Sequence, residues 1–237
     1  MRNFTTFFAG ACLLMLSMSA LTGPAQAQGI FDLSEISKGL SKGSETEQTD
    51  TTQPPSSTAK TAGPSDITLD TFSYSASPAV RSKMLSKFIT MLEGLSPDMA
   101  AQLDGIDLVE LVGEELAKNG LNPNNIVDAY AAYMLTMYDI TDGFTGDRTP
   151  AQLLGTRDMV FETMKSVDSF HSLNDANKQE AAEGLLLQAV LFAAVYEGVA
   201  NDPVASANVQ QEVRGAAKEM SLDIDLFQMT PNGLVRK

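Results

Sequence analysis

The chain has 237 residues, 43% of them hydrophobic, with 16 lysines and arginines against 30 acidic residues and a formal net charge of −14. Such an acidic balance excludes nucleic acid or an anionic membrane surface as the main partner, because both are gripped through basic patches. One cysteine, Cys12, and one histidine, His171, leave no basis for a disulfide framework or a zinc site.

The first stretch, MRNFTTFFAGACLLMLSMSALTGPAQAQG, reads as a secretory signal peptide. Arg2 gives a short positive region, Phe7 to Leu21 is mostly apolar and uncharged, and Pro24 precedes the small-x-small site Ala25-Gln26-Ala27. Cleavage is expected after Ala27. A membrane anchor is the competing reading, but the run falls short of the roughly 20 apolar residues a span needs. A lipoprotein signal would need a leucine-like residue three before Cys12, where Ala9 stands. Cleavage leaves a mature chain without cysteine and without a transmembrane span, in the periplasm or secreted.

Residues 28–73 read as a disordered acidic linker. SKGSETEQTDTTQPPSSTAKTAGPSD is rich in Ser, Thr, Pro and Gly and nearly free of apolar side chains. It cannot bury enough surface to offset the cost of ordering it. Ile30, Phe31, Leu33 and Ile36 form one small apolar cluster ahead of it. From residue 74 to 237 the composition becomes that of a domain able to hold a single core.

Helix punctuation then follows in order. Ser77-Pro78 sets a cap and an N1 proline, and Val80, Met84, Phe88, Met91, Leu92 and Leu95 recur at spacings of three and four. Ser96-Pro97-Asp98 opens a short turn through Leu103. Asp107 caps a helix with Glu110 placed for a capping box, presenting Leu108, Leu111, Val112 and Leu116 before Asn119-Gly120. Asn125 caps a helix running to about Ile140, with Asp128 at its third position, where a carboxylate favours the free N–H groups and the dipole. Ile126, Tyr130, Tyr133 and Met137 form a stripe on it. Thr149-Pro150 opens the next helix, with Leu153, Phe161, Met164 and Val167 inward. After the linker SFHSLND, residues 176–200 form a long helix that ends LLLQAVLFAAVYEGVA, apolar nearly all round and so buried at the centre. Asp202-Pro203 begins a last helix carrying Val204, Val209, Val213 and Met220, followed by a tail, DIDLFQMTPNGLVRK. No run reads as a strand. The fold class is all-α: a compact bundle of about five or six helices with one or two buried central helices, preceded by the linker.

Candidate chemistry is sparse. His171, near Asp168 and Asp175, reads as a surface or capping residue, with no nucleophile beside it. The acidic loop DITDGFTGD carries Asp139, Asp142 and Asp147 but fails the EF-hand spacing, with Thr141, Gly143 and Pro150 where ligands belong. The carboxylates Glu114, Glu115, Glu162, Glu180 and Glu183 offer pairs for a glycosidase-like mechanism, but Glu180 and Glu183 lie on the polar half of their helix, where water normally meets charge. No catalytic residue, metal ligand or cofactor is assigned. Buried tyrosine hydroxyls want partners. The best ligand-binding candidates are therefore Tyr130 and Tyr133, with Asp128 and Arg157 converging on them.

Two segments, Ser77-Pro78-Ala79-Val80-Arg81 and Asn125-Ile126-Val127-Asp128-Ala129-Tyr130-Ala131-Ala132-Tyr133, resemble the signatures of an uncharacterised family of exported, all-helical bacterial proteins, mostly Gram-negative. The similar region runs from about Thr71 to Leu226. In that family a tryptophan often follows the second tyrosine; here Met134 stands there. The resemblance implies export and the extent of the domain and names no activity. The sequence as a whole points to a non-enzymatic interaction or scaffold protein of the cell envelope, acting with a protein partner or a second copy. A small-molecule module with a pocket at Tyr130/Tyr133 is the alternative, and a hydrolase the third choice.

Overall fold

A computed structural model describes residues 67–219 and 222–237. The expected leader with its expected cleavage after Ala27, the expected linker up to residue 66, and Met220 lie outside the described residues. Eight helices follow a short 3-10 turn at Leu69–Phe72: α1 (Pro78–Leu95), α2 (Pro97–Leu103), α3 (Leu108–Lys118), α4 (Ile126–Asp142), α5 (Pro150–Lys165), α6 (Asp168–His171), α7 (Asp175–Gly198) and α8 (Pro203–Glu219). A second 3-10 turn, Ile224–Leu226, leads into an antiparallel hairpin of β1 (Phe227–Thr230) and β2 (Gly233–Arg236).

α4 and α7 pack against each other at the centre, with α5 and α8 on α4 and with α1 and α3 on α7. Of the 17 residues of α4, 15 are buried, so the tyrosine stripe is one side of a helix enclosed all round. α7 is long and apolar enough to cross a membrane, but 78% of its most apolar window is buried inside the protein. An apolar surface already covered by protein has no need of lipid.

Caps explain most helix starts. Asn125 accepts from the Val127 amide, Ser96 from Met99, Asp107 from Glu110 and Asn174 from Asn177. Thr149 and Gln152 complete a reciprocal capping box. Ser77 occupies its cap position without a side-chain cap bond. Its backbone is held instead by the Gln179 amide, which accepts from Ser77 N at 2.8 Å and donates to Ser77 O at 3.0 Å. The chain ahead of α1 is sewn down in the same way. Lys178 Nζ donates to the Thr71 and Ser73 carbonyls, Ser75 N donates to Asp175, and Asn125 Nδ2 donates to Leu69 O.

Several sequence expectations need correction. The described residues form eight helices rather than five or six, partly because a four-residue helix, Asp168–His171, runs into the start of SFHSLND. On α3 it is Val109 that is buried, while Leu111 is 36% exposed, because α3 meets α7 with a face one residue away from the expected one. Val204 is 72% exposed, since the first turn of α8 stands off the core, against which Val209 packs and in which Val213, Ala216 and Ala217 are buried.

The largest difference is the hairpin. The segment read as a tail holds a two-residue turn, Pro231-Asn232, between paired strands. A two-stranded ribbon is marginal alone, and this one is anchored at both edges by hydroxyls. Met229 N donates to Tyr138 Oη on α4, and Leu234 N donates to Thr156 Oγ1 on α5. Gln152 Nε2 also donates to Thr230 O. Amides that would otherwise be open to another strand are thereby closed off.

Candidate functional site

Tyr130 and Tyr133 are both fully buried, with rings 6.1 Å apart at 67°, edge against face. Burial, then the neighbouring Tyr130, raises the Tyr133 pKa. Arg157 donates twice to Asp158, at 3.0 and 2.7 Å. Asp128 is 4% exposed, and its Oδ2 accepts from Asn122 N at 2.8 Å. The structure therefore brings the two rings together as a pair and sets Asp128 within the electrostatic reach of Arg157.

Asp128 was expected to be favoured as an anion by its place in the first turn of α4. Burial outweighs that. Desolvation raises its pKa to about 6, against the lowering effects of the Asn122 amide and Arg157, and its Oδ1 is buried without a hydrogen-bond partner. The sign of the pH effect follows. A carboxyl whose folded pKa lies above its ordinary 3.8 binds more protons folded than unfolded. Its contribution is most favourable below 3.8 and is lost as pH rises through about 6. Asp128→Asn keeps an oxygen for the Asn122 amide and removes the charge. It is expected to raise stability at pH 7 by about 1–2 kcal/mol and to flatten the pH dependence across that window. Urea titrations at several pH values check this; an unchanged or steeper profile contradicts it.

The acidic turn after α4 carries its own counter-ion. Arg148 donates through Nε and Nη2 to Asp139 Oδ1, and its guanidinium lies 3.7 Å from the Phe144 ring centroid. Gly143, at φ 70°, ends α4 in the left-handed conformation and turns the chain so that Arg148 can reach back. Among the described residues no group of three His, Cys, Asp or Glu side chains is placed to hold a metal ion. His171 packs edge-on against Phe72, with ring centroids 5.9 Å apart, and its Nδ1 lies 4.0 Å from Asp168.

Among the described residues, two clefts lie elsewhere, along α1. One cleft of about 510 Å³ opens between the start of α1 and the outer face of α3. Ala76, Pro78, Val109, Ala117 and Pro123 supply its apolar walls, and Arg81, Asp107, Glu110 and Glu114 its charges. A second cleft, of about 610 Å³, runs along α1 past Ser82, Leu85, Ser86, Ile89 and Thr90, facing the Leu103–Asp107 turn. Both are walled by Pro78, Arg81 and Asp107.

Arg81 is fixed where they meet. Its Nε donates to Glu183 Oε1 at 2.6 Å, and its Nη1 donates to Asp107 Oδ1 and Oδ2 at 3.2 and 3.1 Å. Gln179 Nε2 donates to the same Glu183 oxygen at 2.8 Å. Burial works to lower the Arg81 pKa, but Glu183 and then Asp107 outweigh it and the guanidinium is held charged. Burial raises the Glu183 pKa, with Gln179 and Arg81 opposing. Glu183, expected to meet water, is thus fully buried, while Glu180 pairs with Lys83 on the surface. The polar half of α7 is covered by α1, and Arg81 makes that covering tolerable.

None of Tyr130, Tyr133, Asp128 and Arg157 lines either cleft. Of the residues that do, Arg81 stands in the first signature segment, Asp107 and Glu110 read as a helix cap and its box partner, and Glu114, like Glu183 behind them, as one of several candidate carboxylates; the sequence does not single out Gln179.

No curated protein and no solved structure matches the chain. A model of a family of unknown function (DUF6683) matches residues 39–237, a longer span than the resemblance suggested and one that reaches into the linker region. That match takes in the eight helices, the two clefts along α1 and the hairpin, and the chain belongs to this family.

Proposed function

We propose that this chain is a non-enzymatic interaction domain, exported to the bacterial cell envelope, that holds a segment of a partner polypeptide along α1. The leader with its Ala27 site supports export to the periplasm or beyond, and the composition of residues 28–66 supports a tether. The shape of the surface carries the rest. Two clefts abut at the Arg81–Asp107 bridge, and their lining covers α1 from Pro78 to Thr90. At 1.5 Å per residue that is a trough about 18 Å long. A compact ligand fills a single enclosed pocket, whereas a helix or extended segment uses a long groove. The charged groups nearest the trough also have structural duties, with Arg81 committed to Glu183 and Asp107.

Two substitutions block the trough without touching the core. Ala117 and Ser86 are exposed, each lines one cleft, and both face out from their helices. Peptides selected from a random twelve-residue display library on the full chain are expected to lose about tenfold or more in affinity for Ala117→Phe/Ser86→Phe, with unchanged melting. Selected peptides that bind the blocked variant equally well, or a selection that enriches nothing, would sink the proposal.

A further inference from the structure

Resting on that reading, we infer that the segment held in the cleft between α1 and α3 is amphipathic and basic, presenting lysine or arginine to Glu110, Glu114 and Asp107 and apolar side chains to Val109, Ala117 and Pro123.

The walls of this cleft hold three carboxylates and one guanidinium. That guanidinium is shared between Asp107 and Glu183, which is buried behind it, and so leaves Glu110 and Glu114 unbalanced. Glu110 and Glu114 stand four apart on one face of α3, with Asp107 three residues before them. Like charges at that spacing repel one another along a helix. Among the described residues neither Glu110 nor Glu114 has an ion pair, whereas the next carboxylate, Glu115, is paired with Lys118 at 3.4 Å. The chain supplies cations to Asp139, Glu180 and Glu183, and on this face to Asp107, while among the described residues Glu110 and Glu114 receive none.

An acidic edge alone is a solvated surface. Here the carboxylates border apolar walls of a concave cleft, and a segment lying on those walls places its polar groups among them. There, away from bulk water, an opposite charge gains and a like charge is repelled. A phosphate or a carboxylate-bearing partner meets Glu110 and Glu114, which no cation among the described residues offsets, and Asp107, whose charge Arg81 shares with Glu183. A cationic side chain with an aliphatic stem fits both the walls and the edge, as arginine and lysine do. The overall charge of −14 adds a long-range pull on such a segment.

The test uses the full chain and the peptides selected on it. The expected result is that trough-dependent peptides are enriched in Lys or Arg beside apolar residues. Their binding should weaken about tenfold on going from roughly 0.15 to 0.5 M salt, and by a similar factor in Glu110→Gln/Glu114→Gln. Both positions are exposed, so that variant should keep its melting temperature. Trough-dependent peptides without a basic excess, or unaltered affinity in the double variant, overturn the charge inference and leave the docking reading standing. A selection that yields no trough-dependent peptide at all overturns both. A dimer of the full chain that dissociates in Ala117→Phe shows a second copy as the occupant, and that too overturns the inference.

Discussion

Gly155→Ala is expected to destabilise the protein by about 3 kcal/mol or more and to release the C-terminal hairpin from α5. Overpacking at a site that cannot yield costs this much. A Cβ on Gly155 would lie 1.6 Å from the Asn232 carbonyl oxygen and 2.7 Å from its carbon. Both are backbone atoms, so no side chain can swing aside. The opposing surface is equally closed: Gly233 sits at φ +109°, and a Cβ there would meet Thr156 N at 2.5 Å. Two glycines thus let a turn and a helix touch backbone to backbone, and the bonds of Thr156 to Leu234 and of Gln152 to Thr230 form only at that separation. Gly215→Ala in α8 is the control. Nothing lies within 4 Å of its would-be Cβ, and alanine there should add up to about 1 kcal/mol. Urea unfolding gives the energies, and hydrogen exchange at the Met229 and Leu234 amides reports the hairpin. Protected amides and a change under about 0.5 kcal/mol in Gly155→Ala would show that the hairpin does not depend on this contact.

Those two glycines also show where the sequence stops being legible. Gly155 can be recognised as a glycine inside a helix, a position that costs stability and asks for a reason. Its reason is a turn that closes against it from the far end of the chain. The turn itself carries a signal, Thr230-Pro231-Asn232-Gly233, with proline and glycine suitably placed. Strands of four residues are too short to show an alternating pattern. Caps are legible because they are local: Asn125, Thr149, Asp107 and Ser96 bond within a turn of their own positions. The apolar run of α7 is legible because burial all round leaves no polar side to write. Tyr138 belongs to the same conspicuous helix as Tyr130 and Tyr133, but its hydroxyl is spent on the outward amide of Met229, a partner 91 residues away.

The trough is less legible for the same reason. Helical periodicity places Glu183 on the polar half of α7, and periodicity cannot say that another helix covers that half. Its partner, Arg81, is 102 residues earlier. The two acidic positions facing the cleft look like an ordinary solvated face until the concavity beside them is known. Tyrosine content drew attention to α4, where large rings serve packing, and away from α1, where small side chains such as Ser82 and Ser86 leave room.

Arg81→Ala is expected to be the second severe substitution, for an electrostatic reason. Removing one partner of a buried ion pair strands the other, at a cost of about 3–5 kcal/mol. Glu183 is fully buried, one of its oxygens already lacks a hydrogen-bond partner, and the remaining oxygen would keep only the Gln179 donor. Asp107 suffers less, being partly exposed and already bonded to the Glu110 amide. If the cost is the stranded charge, removing that charge should recover it. Arg81→Ala/Glu183→Gln retains the acceptor for Gln179 and is expected to regain at least about 2 kcal/mol over the single variant at pH 7. The pH dependence separates charge from lost packing. Burial already holds the folded pKa of Glu183 above its ordinary value, and losing Arg81 raises it further. The Arg81→Ala protein should therefore gain stability relative to wild type as pH falls from 7 towards the unfolded carboxylate range, and the double variant should not. A single variant whose deficit is independent of pH, with no recovery in the double, would assign Arg81 to filling space between α1, α3 and α7 rather than to holding a buried carboxylate at the edge of the trough.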